Sequence, residues 1–174
     1  MRGMPSARRL EPTRRSCSSA WPDVEDDERW MREALALAEQ AAAAGDVPVG
    51  AVVVHAGRIV GRAANRTVRD QDPTAHAELL ALREAASTLG QWRLDGCTVY
   101  ATLEPCAMCA GAMVLGRPAR VVFGAWDDKA GMVGSIGDLL RHPRLNHRPE
   151  VRGGVLAGEA GAVLTEFFRA RRPG

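Results

Sequence analysis

No apolar run in this chain approaches the roughly 20 consecutive residues that a bilayer-spanning helix requires, which excludes a membrane protein of that kind. It also lacks the apolar stretch of about 7–15 residues that follows the charges of a secretory signal; none stands before Trp21. There is no internal repeat of useful period and no low-complexity segment beyond the N-terminal tail. Cysteine is scarce, with four in 174 residues. Without a secretion signal the reducing cytosol is the expected compartment, where thiols serve metals or catalysis rather than disulfides. Nor is there an excess of one charge. Of 23 basic and 21 acidic residues, Arg2, Arg8, Arg9, Arg14, Arg15 and Glu11 fall in the first twenty, leaving 18 basic and 20 acidic, a net of −2, for residues 21–174. A nucleic-acid partner would have to be held by local arginine clusters, because phosphate affinity depends on the cations that reach phosphates.

What is present suits one globular domain, at 46% apolar and 25% charged residues. Residues 1–25, first basic and Ser-rich and then acidic, have no helical or strand period and predict a disordered tail; residues 26–174 form the folded domain. From Asp26 to Ala44, Trp30, Met31, Ala34, Leu35, Ala38 and Ala41 recur at three- and four-residue spacing before Gly45, the pattern of a capped amphipathic helix. Val47–Val54 and Arg58–Ala63 flank Ala56-Gly57 and predict a hairpin. A helix over His76–Leu89 stopped by Gly90, a strand over Cys97–Thr102 and a helix from Pro105 to about Leu115 follow, with Pro105 suited to the first helical position. The remainder reads as a buried strand over Ala119–Gly124, a loop over 125–134, a short helix over Ile136–Leu140, a weak strand near Val151–Leu156 and a helix from about Gly158 to Arg171. Strands alternating with helices imply the α/β class, as a three-layer α/β/α sandwich around a central mixed five-stranded sheet.

Two short segments carry the chemistry: His76-Ala77-Glu78 and Pro105-Cys106-Ala107-Met108-Cys109. Cys106 and Cys109 are three apart at a predicted helix start, so both thiols face one side, where the helix N-terminus favours thiolates. With His76 they make three metal ligands. A tetrahedral Zn²⁺ held by three protein ligands keeps a position for water, whereas a structural site closes all four. Closure here would need Cys97, His55, His142 or His147, none at zinc-finger spacing to the pair. Two thiolates neutralise the ion and leave its water less acidic than three histidines would, so a nearby base is needed. Glu78 is that base. It lies too far round a regular helix to share the face of His76, yet at a helix start both side chains converge beyond the end. A capping-box role for Glu78 lacks its Ser or Thr at position 75, which is Ala.

H-x-E followed by P-C-x-x-C resembles the signature of the zinc-dependent cytidine and nucleobase deaminases. The wider pattern is similar to the bacterial tRNA-specific adenosine deaminases. It runs through Val47–Val52, Asp72–Glu78, Thr102–Met113, Val121–Ala125, Asn146–Arg148 and Phe167–Arg172. The resemblance implies a cytidine deaminase-like fold, with residues 26–174 as the deaminase domain and one Zn²⁺ per subunit. It implies hydrolytic conversion of the wobble adenosine of a tRNA anticodon stem-loop, in an arginine tRNA, to inosine. Glu78 would pass the water's proton to the ring nitrogen and the departing ammonia. It further implies a cytoplasmic homodimer with no organic cofactor. By the same resemblance Asn65 bonds the flipped-out nucleotide, and Asp127 stands near the bound RNA. Lys129 and Gly131 keep that loop's pattern, while Trp126 departs from the Arg of the best-known relative. Phe168, Arg169 and Arg171 suit stacking and cation contacts with unpaired RNA, and Arg141, Arg144 and Arg148 form a second cationic group. The C-x-M-C-x-G-A piece also occurs in guanine and cytosine deaminases, so a nucleobase deaminase is the alternative.

Overall fold

The computed structural model describes residues 24–171. The expected tail over 1–25 lies outside them up to residue 23, as do Cys17 and Arg172; residues 24 and 25 belong to a helix. That helix, α1 (Val24–Ala43), opens with Glu25, Asp26 and Asp27, whose charges suit its positive end, and buries the stripe Met31, Ala34, Leu35, Ala38 and Ala41. Strands β1 (Gly50–His55) and β2 (Arg58–Ala64) pair antiparallel around Ala56 and Gly57, whose φ values of 47° and 72° are those of a two-residue hairpin turn. A one-turn helix that the pattern did not predict, α2 (Thr67–Asp70), leads to α3 (Ala77–Leu89), which stops at the left-handed Gly90.

Strand β3 (Thr98–Leu103), helix α4 (Ala107–Gly116), strand β4 (Arg120–Ala125), the short β5 (Glu150–Arg152) and helix α5 (Ala157–Arg169) complete the order. The sheet runs β2-β1-β3-β4-β5, with β1 antiparallel to β2 and β3, and β3, β4 and β5 mutually parallel. Side chains alternate across it. Ala51, Val53, Val99, Ala101, Val121 and Phe123 share a core with Ala77, Ala81 and Ala110 of α3 and α4. Val52, Val54, Tyr100 and Val122 share the other with Met31 and Leu35 of α1 and Ala160 of α5. The three-layer α/β/α sandwich with a mixed five-stranded sheet is therefore observed. At Gly50 a Cβ would overlap the carbonyl of Ala34, so α1 lies directly on β1 only because that residue is glycine.

Three details depart from expectation. Pro105 stands one residue before the N-cap of α4 rather than inside it, because Cys106 is the N-cap. The strand expected over Val151–Leu156 is reduced to Glu150–Arg152, after which backbone bonds from Gly154 and Val155 to Gly124 and Phe123 carry the chain past the end of β4. No helix forms over Ile136–Leu140; the segment is a series of turns with bridges Cys106↔Gly131 and Val133↔Asp138. Within it Ile136 donates to the Gly131 carbonyl and Leu139 to that of Met132, both at 2.9 Å and neither at helical spacing, while Gly137 accepts from Gly134, which has φ 146°.

Candidate active site

The parallel strands β3 and β4 end on the same edge of the sheet, where β2 also ends and β1 begins. Crevices at the carboxyl ends of such strands are where α/β folds gather ligands. Here the crevice is a cavity of about 180 Å³ lined by Val47, Val49, Asn65, Thr67, His76, Glu78, Leu103, Glu104, Cys106, Asp127 and Ala130. Two helices start at it. His76 is the N-cap of α3 and Cys106 the N-cap of α4, both extended in backbone and neither using its side chain to cap. The sequence places a ligand where a cap would stand, so each side chain points past the helix end rather than back along it.

His76 Nδ1 lies 3.7 Å from Cys106 Sγ and 3.6 Å from Cys109 Sγ, and the three donor atoms are all within 4.8 Å of one another. Zinc bonds of about 2.3 Å to sulfur and about 2.0–2.1 Å to nitrogen, at the tetrahedral angle, put N and S roughly 3.6 Å apart. The donor set therefore fits zinc in both chemistry and spacing. Cys97, His55, His142 and His147 do not join the cluster among the described residues, which leaves three protein donors and not four. The three donors perturb one another. Cys106 is held well below an ordinary thiol by the hydrogen bond from Cys109, against the opposing effect of burial, and the same bond raises Cys109. Contact with Cys106 raises His76 as well.

Glu78, in the first turn of α3, is 3% exposed, and its Oε2 is buried with no hydrogen-bond partner. Burial pushes its carboxyl up to about 7, with the His76 charge opposing. A buried, unpaired polar atom costs stability, so its persistence beside a metal-type donor set and a cavity marks a working group rather than a scaffold.

The sequence pattern of the cytidine and deoxycytidylate deaminase zinc-binding region matches residues 24–125. The chain belongs to that deaminase family. It is 51% identical over 146 residues to a tRNA-specific adenosine deaminase of Bacillus subtilis, spanning 84% of this chain and 91% of the relative. Among solved structures, one from studies of A-to-I editing by tRNA:A34 deaminases superposes with a TM-score of 0.76 at 42% identity, over 78% of this chain and 99% of the other. A guanine deaminase of Nitrosomonas europaea superposes with a TM-score of 0.67 at 31% identity, over 80% and 83% respectively. Zinc is the cofactor of this deaminase fold, one ion per subunit.

The deaminase cavity brings together five of the residues singled out from sequence: Asn65, His76, Glu78, Cys106 and Asp127. Asn65 is buried, and its Nδ2 donates to the carbonyl of Val47 and to Thr67 Oγ1, both at 3.2 Å, which leaves Oδ1 to accept from a ligand. The Asp127 side chain accepts the amides of Lys129 and Ala130, so it shapes its own loop. Phe168, Arg169 and Arg171 do not line the cavity. Ala160 packs on β4 beside Gly124, and Phe168 stands eight residues, about 12 Å of helix axis, beyond it. Phe167 is buried and Phe168 exposed, as one-sided packing predicts, but the Arg171 guanidinium lies 3.6 Å over the Phe167 ring. Of the second cationic group, Arg141 is bonded to Asp138 and to the Val133 carbonyl.

Of the buried carboxylates that escaped sequence reasoning, two support walls of the deaminase cavity. Asp46 Oδ1 accepts the amides of Val68 and Arg69 at 2.7 and 3.3 Å, fixing α2 and with it Thr67. Glu104 accepts the amides of Asp127, Val133 and Ser135. The one signal for Glu104 was its place between an apolar strand and Pro105. Among the described residues no helix is long and apolar enough to cross a membrane.

Proposed function

We propose that this protein is a tRNA adenosine deaminase that hydrolyses the wobble adenosine of an anticodon stem-loop to inosine, with release of ammonia. The observation that carries the reading is Glu78, a buried carboxyl with a free oxygen beside three zinc-type donors at the floor of a cavity. The 51% identity to the Bacillus subtilis tRNA-specific enzyme, against 31% to the guanine deaminase, favours adenosine in tRNA over a free base. An anticodon loop base is already partly unstacked, so drawing it into the cavity costs less than from a duplex.

His76 Nδ1 and the Sγ atoms of Cys106 and Cys109 hold the ion. An ion held by these three residues would supply Lewis acidity that makes water a nucleophile near neutral pH. Glu78 takes the proton of the attacking water and gives it to the ring nitrogen next to the reacting carbon. A second transfer through the same carboxyl accompanies the leaving amine, so adenosine and water become inosine and ammonia. A carboxyl at about 7 suits both directions of transfer. Asn65 accepts from the nucleotide through Oδ1, Asp127 borders it, and Phe168 with Arg169 contacts the loop further out. The substrate is an arginine tRNA, encountered in the cytoplasm. The enzyme acts as a homodimer, and α4, which carries no charged residue and exposes Ala107 and Leu115, offers an apolar outward face for a second copy.

The test is a substrate panel. Zinc-loaded protein is offered an anticodon stem-loop of an arginine tRNA with adenosine at the wobble position, alongside free adenosine, guanine and cytosine. Inosine is expected from the RNA alone, with activity lost on chelation and restored by zinc. Ammonia from guanine or cytosine without inosine in the RNA would overturn the reading.

A further inference from the structure

Glu104 is 1% exposed and, among the described residues, is paired with no cation; hydrogen bonds from one loop surround it. Its Oε1 accepts the amides of Val133 and Ser135, each at 3.0 Å, and its Oε2 accepts the Asp127 amide at 3.0 Å and the Ser135 hydroxyl. Every partner belongs to the segment that leaves β4 and borders the cavity through Asp127 and Ala130. The backbone of Glu104 is tied to the same place, its amide donating to the Ala125 carbonyl at 2.8 Å. Around it the segment is locked to the start of α4: Met132 donates to the Pro105 carbonyl at 2.9 Å, and Gly131 bridges Cys106. Gly131 is glycine for a specific reason, since a Cβ there would overlap the Glu104 carboxyl group.

We propose that Glu104 is a positioning residue: its carboxylate fixes the 127–135 segment as one wall of the cavity, in register with Cys106, and so governs substrate binding through Asp127. The proposal rests on the deaminase reading above. A carboxylate suits this post because three backbone amides, which can only donate, and one hydroxyl share its two oxygens. Glutamine has the same shape, but its NH₂ must face either the Val133 and Ser135 amides or the Asp127 amide, the Ser135 hydroxyl alone being able to turn and accept, so at least one buried amide loses its acceptor. Glu104 neither lies in the donor cluster nor has a free oxygen, which separates its work from that of Glu78.

Glu104→Gln and, independently, Gly131→Ala are compared with the wild-type full chain, all zinc-loaded. The readouts are zinc per chain, hydrogen exchange of the Asp127, Val133 and Ser135 amides, and kcat and KM on the anticodon stem-loop. We expect unchanged zinc, amide exchange faster by about tenfold and KM raised by about tenfold, the scale of one lost buried hydrogen bond. The expected fall in kcat is less than about threefold, because binding and not proton transfer is disturbed. Unchanged exchange, or a loss of zinc and kcat at constant KM, would overturn the proposal. Should Glu104→Gln fail to fold, Gly131→Ala carries the same split. If the wild type processes a free base and not the RNA, the functional reading falls. The exchange data and KM for that base then decide the role of Glu104.

Discussion

Asp27, in the first turn of α1, grips Arg120, at the start of β4, through two hydrogen bonds of 2.6 and 2.8 Å between residues 93 positions apart. Tyr100 donates its hydroxyl to the same carboxylate at 3.0 Å and Arg152 adds a further bond at 2.7 Å, so one side chain joins α1 to β3, β4 and β5. Asp27→Asn removes the charge without changing the shape. It is expected to cost about 1.5–3 kcal/mol, because Arg120 keeps its ion pair with Glu150 but loses the charge on its two strongest acceptors, and urea unfolding of matched zinc-loaded samples measures it.

The same pair gives a pH dependence. Burial alone would raise the Asp27 carboxyl, but the bonds from Arg120, Tyr100 and Arg152 more than offset it and hold the group below the usual carboxylate range. A depressed folded-state value means that the contribution is complete above the unfolded value of about 3.9 and is lost as pH falls through the folded one. The stability gap between wild type and Asp27→Asn is therefore expected to be constant near neutrality and to narrow below about pH 4. A gap that widened in acid would contradict the assignment.

Glu78→Gln separates activity from stability. Removing the proton carrier is expected to lower kcat by about 10²–10⁴-fold while zinc content stays at the wild-type level. Because Oε2 is buried without a partner, the neutral amide should leave Tm unchanged or raise it. Inosine formation, metal analysis and thermal unfolding on one preparation check all three.

Asp46→Asn loosens the opposite wall. Its carboxylate is buried and serves the Val68 and Arg69 amides together with Arg69 Nε at 3.2 Å. The substitution is expected to cost about 1–3 kcal/mol in urea unfolding. KM for the stem-loop should rise as Thr67, and Asn65 through it, lose their fixed places.

The aromatics at the end of α5 and the arginine just beyond it divide in two. Exposed Phe168, changed to Ala, should raise KM for the stem-loop by the ~1–3 kcal/mol of a lost base stack with little effect on stability. Arg171→Ala should instead cost about 0.5–1 kcal/mol of stability, since its guanidinium covers Phe167. Deleting α5 outright would confuse the two effects, because Ala160 and Phe167 are buried.

The donor set and Glu78 were legible in the sequence because their information is local: His76 and Glu78 stand at one helix start, Cys106 and Cys109 at another, and only their meeting is tertiary. The strands and long helices were legible for a similar reason, each carrying its own apolar period. Asp27 and Arg120 could not be paired in advance, since an acid in the first turn of a helix and an arginine beside a strand each have ordinary local explanations. Glu104 was hidden differently. Its partners are backbone amides, which carry no residue-type signature. The helix expected over Ile136–Leu140 fails for a related reason: Ile136 donates to the Gly131 carbonyl and Leu139 to that of Met132, neither at the four-residue spacing of an α-helix.

In this deaminase two metal-type donors stand at helix N-cap positions and the third in the first turn of α4, while the cavity's rims descend from the turns that follow β2 and β4. Reagent and mould are thus built from separate pieces of chain. A graft that exchanges residues 126–137 for the matching turn of a guanine-acting relative, with Glu104 and Gly131 retained as its anchors, would re-cut the mould and leave the reagent as it stands.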